Sequence, residues 1–164
     1  MLPLEYERFV TPVAPAGAAW SNVVDMARYL IMELNRGVAA DGTRVVSAEN
    51  LEHTWEPQVP ISAEASYGLG WIVEEYKGVR VLSHGGNTLG FTSELAFLPE
   101  VGLGISVLSN QQGSIFNQAV RYRLLELLYQ QEPEFEAQAR FAIETGEEAL
   151  AELQGQIQDS VDPE

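Results

Sequence analysis

The feature that most constrains this chain is a crowded series of short apolar runs between residues 68 and 108. Residues 68–73 (Gly-Leu-Gly-Trp-Ile-Val) and 79–82 (Val-Arg-Val-Leu) are strand-like and are joined through Tyr76-Lys77-Gly78, a hairpin signal. Residues 92–98 and 103–108 form a second such pair across Pro99-Glu100-Val101-Gly102. Parallel pairing needs a crossover of about a dozen residues or more, so connections this short demand an antiparallel sheet of about four strands.

Helices should flank that sheet, which gives an α+β fold. Val24, Ala27, Leu30, Ile31 and Leu34 recur at helical spacing after a possible cap at Ser21, and Gly37 is placed to end the helix. Ser47 can cap a short helix that runs to about Trp55 and is closed by Pro57. Ile115, Phe116, Ala119, Val120, Leu124, Leu127 and Leu128 mark another helix over about residues 114–129. Residues 1–14, with Pro3 and Pro12, read as an extended lead-in, and residues 15–130 as the packed unit. Residues 131–164 form an acidic, partly helical tail, in which Thr145 and Glu148 fit a capping box for a helix reaching about Gln154.

Charge narrows the partners. The 164 residues carry a net charge of −15. Residues 131–164 hold ten acidic side chains against one basic, a net of −9, and residues 1–130 supply the other −6. That balance excludes nucleic acid and an anionic membrane surface as expected partners, because both select a positive footprint. No apolar run approaches the ~18 residues needed to span a bilayer, and the charged opening Met1–Arg8 lacks the pattern of a signal peptide. Cysteine is absent, and the two histidines, His53 and His84, have no acidic residue at a ligand-like spacing from both. Neither a metal nor another cofactor is expected.

The segment suited to chemistry is Ser83-His84-Gly85-Gly86-Asn87-Thr88-Leu89-Gly90-Phe91. It combines a titratable imidazole with main chain that glycine leaves open, so a ligand carbonyl could approach backbone N–H groups. Such donors can stabilise the oxyanion of acyl transfer, with His84 as proton shuttle or donor. A strand, two glycines and a strand also make a tight bend beside a structural histidine. His-Gly-Gly occurs in the oxyanion loops of α/β-hydrolases too, but neither a Gly-x-Ser-x-Gly elbow nor a parallel sheet is visible. His53 reads as a surface residue; Trp20, Trp55 and Trp71 read as packing.

Three features then occur in a meaningful order. They are Pro15-Ala16-Gly17-Ala18-Ala19-Trp20-Ser21 leading into Asp25-Met26-Ala27-Arg28-Tyr29-Leu30; Tyr67-Gly68-Leu69-Gly70-Trp71; and the segment beginning at His84, followed by Leu95-Ala96-Phe97-Leu98-Pro99-Glu100 and Leu108-Ser109-Asn110. Together, over about residues 12–130, they resemble the carboxyl-terminal half of the β-lactamase-related serine hydrolases. That group includes class C β-lactamases, DD-peptidases, D-aminopeptidases and family VIII-type esterases. The resemblance implies part of a β-lactamase/transpeptidase-like fold acting on a small-molecule or peptide acyl substrate, in a family that works in the cell envelope or outside.

The resemblance also assigns roles. His84-Gly85-Gly86 matches the family's Lys-Thr-Gly or His-x-Gly strand, with His84 in the lysine position. Asn87 would offer its backbone N–H to the oxyanion, and Gly85, Gly86 and Thr88 would contact substrate. The family's Ser-x-x-Lys is absent, because Lys77 is the sole lysine and Glu74 stands three residues before it. No Tyr-x-Asn is identifiable, and Tyr67 reads as framework. Without the activated serine the chain is expected to be inactive alone and to need the missing amino-terminal half. A bare sheet edge would then promote self-association. A non-catalytic binding or scaffold module, or one half of a two-chain enzyme, are the other expectations.

Overall fold

A computed structural model describes residues 4–135, 137 and 140. They divide into two compact units, residues 1–117 and 118–164. In the first, a 3₁₀ helix (Leu4–Val13) and a single α turn, α1 (Ala14–Gly17), precede α2 (Val23–Leu34) and α3 (Ala48–Thr54). Strands β1 (Val59–Pro60), β2 (Ala65–Tyr67), β3 (Ile72–Tyr76), β4 (Val79–Thr88), β5 (Phe91–Leu98) and β6 (Leu103–Ser109) then form one antiparallel meander in chain order. The sheet therefore has six strands, against the four expected, because β1 and β2 are only two and three residues long and leave no periodic trace. The lead-in is helical rather than extended: a proline φ near −65° suits a helical turn as well as an extended segment.

Local chemistry explains most boundaries. Asn22, not Ser21, caps α2; its side-chain oxygen accepts from the N–H groups of Val24 at 3.0 Å and Asp25 at 3.1 Å. Ser47 caps α3 by accepting from Asn50 N–H at 3.2 Å. The run 68–70 is a turn between β2 and β3 rather than strand. A Cβ on Gly68 would lie 2.6 Å from Thr54 O and 2.9 Å from Glu56 O, so only glycine lets this turn dock against the end of α3. Leu69 N–H donates to Thr54 O across the same contact, at 3.0 Å.

One face of the sheet carries the core under α2 and α3: Leu30, Leu51, Trp55, Trp71, Val73, Leu82 and Phe97. Phe97 meets Trp55 and Trp71 edge-on, with ring centroids 5.2 Å and 4.9 Å away. Of the predicted α2 stripe, Leu30 is buried, whereas Val24 and Ile31 are exposed. Within the second unit, the continuation of α4 (Phe116–Leu128) holds a buried Glu126, whose Oε1 accepts the N–H groups of Glu134 at 3.0 Å and Phe135 at 3.1 Å. The helix expected from Thr145 lies outside the described residues. Among the described residues, no helix is long and apolar enough to cross a membrane.

The core also contains a carboxylate. Glu33 is 2% exposed, accepts the Trp55 indole N–H at 3.0 Å and is hydrogen-bonded to Tyr29. Loss of hydration raises its pKa, partly offset by those two hydrogen bonds. The folded state thus holds the Glu33 proton more tightly than the unfolded chain does. That contribution to stability is fully present below the ordinary glutamate value of about 4.3 and is lost as pH rises through the raised one. Glu33→Gln retains shape and an acceptor, so it should melt above the wild type at pH 7 and lose that advantage on acidification. Thermal melts of both proteins across that range check this; a gap independent of pH would contradict it.

Candidate active site

Strand β4 is longer than its neighbour β3, and this mismatch creates the site. β3 begins at Ile72, opposite Ser83, whereas β4 stays paired with β5 through Thr88 opposite Phe91. His84-Gly85-Gly86 is therefore ladder, not the bend that two glycines suggest. The reversal falls at Leu89-Gly90, where Gly90 has φ +87°.

Register fixes where the main chain points. In a hairpin with a two-residue turn the flanking pair is hydrogen-bonded, and alternate pairs follow. Thr88, Gly86 and His84 accordingly bond to β5, while Asn87 and Gly85 direct their N–H and C=O groups to the other edge. On that edge β3 has already ended, and no strand replaces it among the described residues. Gly85 and Asn87 are exposed there, as is the His84 side chain, while Gly86 and Thr88 are half-buried.

Side chains lock this arrangement from both ends. The Tyr67 hydroxyl lies 3.1 Å from His84 Nε2, and the two rings meet edge-on at 6.1 Å. Tyr67 closes β2, so the Tyr-Gly-Leu-Gly-Trp turn that docks on α3 also delivers this hydroxyl. The sequence reading placed Tyr67 in the framework. No local signal could have found it, since its partner His84 is 17 residues away and the paired register sets Tyr67 opposite Ile72 and Ser83 instead.

At the other end, Asn87 Oδ1 accepts Gly113 N–H at 3.0 Å and the Thr92 hydroxyl at 2.8 Å. The same hydroxyl lies 2.6 Å from Gln111 O and accepts Ser114 N–H at 3.3 Å. Asn117 Nδ2 donates to Thr92 O at 2.8 Å and to Val107 O at 3.1 Å. Asn87 is thus anchored through its side chain, and its main chain stays open. The Ser93 hydroxyl sits over Gly86, where an added Cβ would come within 2.6 Å of it and force the serine into another rotamer.

Trp20 is 56% exposed rather than packed; it meets Phe91 edge-on at 5.6 Å beside the β4–β5 turn. Trp55 and Trp71 are core, as expected. His53 lies exposed on α3, its Nδ1 2.9 Å from Glu56 Oε2 and away from the site. Among the described residues, no group of three or more His, Cys, Asp or Glu could hold a metal ion. A surface hollow of about 430 Å³ between Pro57, Ser62, Glu74 and Arg80 does not include His84.

The fold and the ordered motifs define a β-lactamase-type architecture, and the comparisons bear on the same point. The beta-lactamase family model matches residues 2–130, and the chain belongs to that family. It is 32% identical over 102 residues to Unguisins hydrolase ungD' from Aspergillus campestris, covering 60% of this chain and 18% of that protein. It is 30% identical over 106 residues to penicillin-binding protein 4 of Amycolatopsis lactamdurans, covering 58% and 26%. Among solved structures, the octameric penicillin-binding protein homologue from Pyrococcus abyssi superposes with TM-score 0.60 at 28% identity, over 70% of this chain and 25% of that one. A penicillin-binding protein from Bacillus halodurans shares the fold, with TM-score 0.50 at 17% identity over 62% and 29%. The chain therefore spans under a third of the length of each of these relatives.

The Thr92 hydroxyl joins three segments and is largely buried, so Thr92→Val should destabilise the protein by about 1–3 kcal/mol, the usual cost of stranding buried polar partners. Chemical denaturation checks it. A Thr92→Val protein as stable as the wild type would mean that these hydrogen bonds contribute nothing net.

Proposed function

We propose that this chain supplies one wall of the cleft of a serine hydrolase that acts by acyl-serine transfer on an ester, an amide or a β-lactam. The reactive serine and its activating lysine belong to polypeptide outside residues 1–164, and the chain is inactive alone. The observation that carries this reading is the open edge of β4, where the Asn87 N–H points away from β5 beside the His84 imidazole. A hydrolase and a penicillin-binding protein among the relatives agree with it.

In this reading a serine hydroxyl attacks the acyl carbon as its proton passes to the activating lysine, and the carbonyl oxygen on which negative charge gathers accepts the Asn87 N–H. Such a fixed donor costs no reorganisation as the charge develops. Gly85, Gly86 and Thr88 line the approach to that oxygen. As the carbon–heteroatom bond breaks, the leaving group takes up a proton, for which His84 is the nearby shuttle; water then releases the acyl group from the serine. A histidine in the family's lysine position lacks a permanent positive charge at neutral pH. That favours an esterase, peptidase or amidase over an enzyme dedicated to β-lactams, whose carboxylate a lysine would hold.

A fluorophosphonate or penicillin probe should label a longer polypeptide that adds a Ser-x-x-Lys segment before residue 1, and should leave the isolated chain unlabelled. In that longer protein His84→Ala should lower acyl transfer by about 10²-fold or more, the usual worth of a positioned proton-transfer group, while His53→Ala leaves it unchanged. Labelling of the isolated chain, or equal activity in both mutants, would overturn the reading. Self-association is proposed as well: β6 pairs with β5 alone among the described residues, and Leu108 on it is 40% exposed. Sedimentation velocity should show dimers or larger species increasing with concentration; a sharp monomer at the highest concentration would count against it.

A further inference from the structure

We infer that Tyr67 is a positioning residue that fixes the tautomer of His84 and so decides which imidazole nitrogen offers a proton to a ligand. The inference deepens the acyl-transfer reading and rests on it for its catalytic consequence. The hydrogen bond itself does not depend on that reading.

The Tyr67 hydroxyl and His84 Nε2 lie 3.1 Å apart, so one of them donates. A phenol O–H is the stronger acid of the two neutral groups, and an imidazole nitrogen lone pair is a better acceptor than a phenol oxygen. The favoured direction is therefore O–H to Nε2, which leaves Nε2 without a proton and puts the ring hydrogen on Nδ1. In water a free histidine side chain prefers the opposite tautomer, with the proton on Nε2. Tyr67 thus holds the less common form.

Geometry supports a directed contact rather than a chance one. The Tyr67 ring is half-buried and meets the imidazole edge-on, which limits rotation of His84. Tyr67 itself is held by the turn at Gly68, whose approach to Thr54 O and Glu56 O admits no side chain. Among the described residues no group bonds His84 Nδ1, so the Nδ1–H is the donor left for substrate. A ligand that accepts a hydrogen bond from this histidine must then present its acceptor to Nδ1, not to Nε2.

The test uses the chain as it is, labelled with ¹⁵N-histidine. With His53 and His84 as its sole histidines, two imidazoles appear, and His84→Ala assigns them. Long-range ¹H–¹⁵N correlation spectra, recorded well above the ordinary histidine pKa of about 6.5 so that the rings are neutral, report which nitrogen carries hydrogen. For His84 the protonated nitrogen should be Nδ1 in the wild type and should shift toward Nε2 in Tyr67→Phe, with His53 unmoved in both. Because the wild-type spectrum is itself decisive, a Tyr67→Phe chain that fails to fold does not rescue the inference. A wild-type His84 protonated on Nε2, or one unchanged by Tyr67→Phe, would overturn it. If the tautomer switches but the Ser-x-x-Lys-containing protein fails to acylate, the positioning role stands and the hydrolase reading falls.

Discussion

Beyond Ser83 the main chain of β4 keeps its hydrogen bonds to β5 and, among the described residues, has no strand on its other side, because β3 starts only at Ile72. An antiparallel strand alternates its N–H and C=O groups between two edges, so losing one partner exposes every second residue and no others. On β4 those residues are Gly85 and Asn87. A one-residue slip in the β4–β5 register would turn Asn87 inward and direct Gly86 or Thr88 to the open edge instead. The turn at Leu89-Gly90 sets that register, and the tight turn at Lys77-Gly78, with both φ angles positive, sets the β3–β4 register at the other end of β4. Turn chemistry several residues away therefore decides which amide faces the open edge.

An open edge is useful only if it is rigid, and rigidity comes from the two ends of the exposed segment. At one end the aromatic cluster of Trp55, Trp71 and Phe97 fixes α3, and α3 fixes the Gly68 turn that carries Tyr67. Arg80 Nη2 donates to Trp55 O at 2.7 Å and ties the same helix end back to β4. At the other end the hydrogen bonds of Asn87, Thr92 and Asn117 bind β4, β5, β6 and the loop at residues 111–114 into one polar knot. Thr92 and Asn117, the buried members of this network, favour a single arrangement, since breaking their bonds leaves polar groups without a partner.

How much of this could be read from residues follows from which physical signals are local. The β3–β4 and β5–β6 hairpins were legible because turn residues and β-branched runs act over a few positions. The Ser47 cap was legible for the same reason. Short strands β1 and β2 were not, because two or three residues carry no period; their pairing is set by the neighbour they join. The 3₁₀ lead-in was misread because proline is compatible with both outcomes. Tyr67 was missed because its partner is 17 residues away and the hydrogen bond depends on the registers of two hairpins at once. In each case what escaped was tertiary.

Asn87 uses its side chain and its main chain in different directions. Its side chain points to one face, where Oδ1 accepts from Gly113 and Thr92, while its N–H points along the sheet to the open edge. The two functions use different atoms of one residue, so the amide donor is oriented by contacts that no ligand needs to displace. An aspartate there could still accept both bonds, but in the acyl transfer proposed above it would place a negative charge beside the oxygen that gathers charge. Asparagine supplies the same acceptor while remaining neutral. An uncharged anchor and an unobstructed N–H thus meet at one residue because β4 has an open edge there.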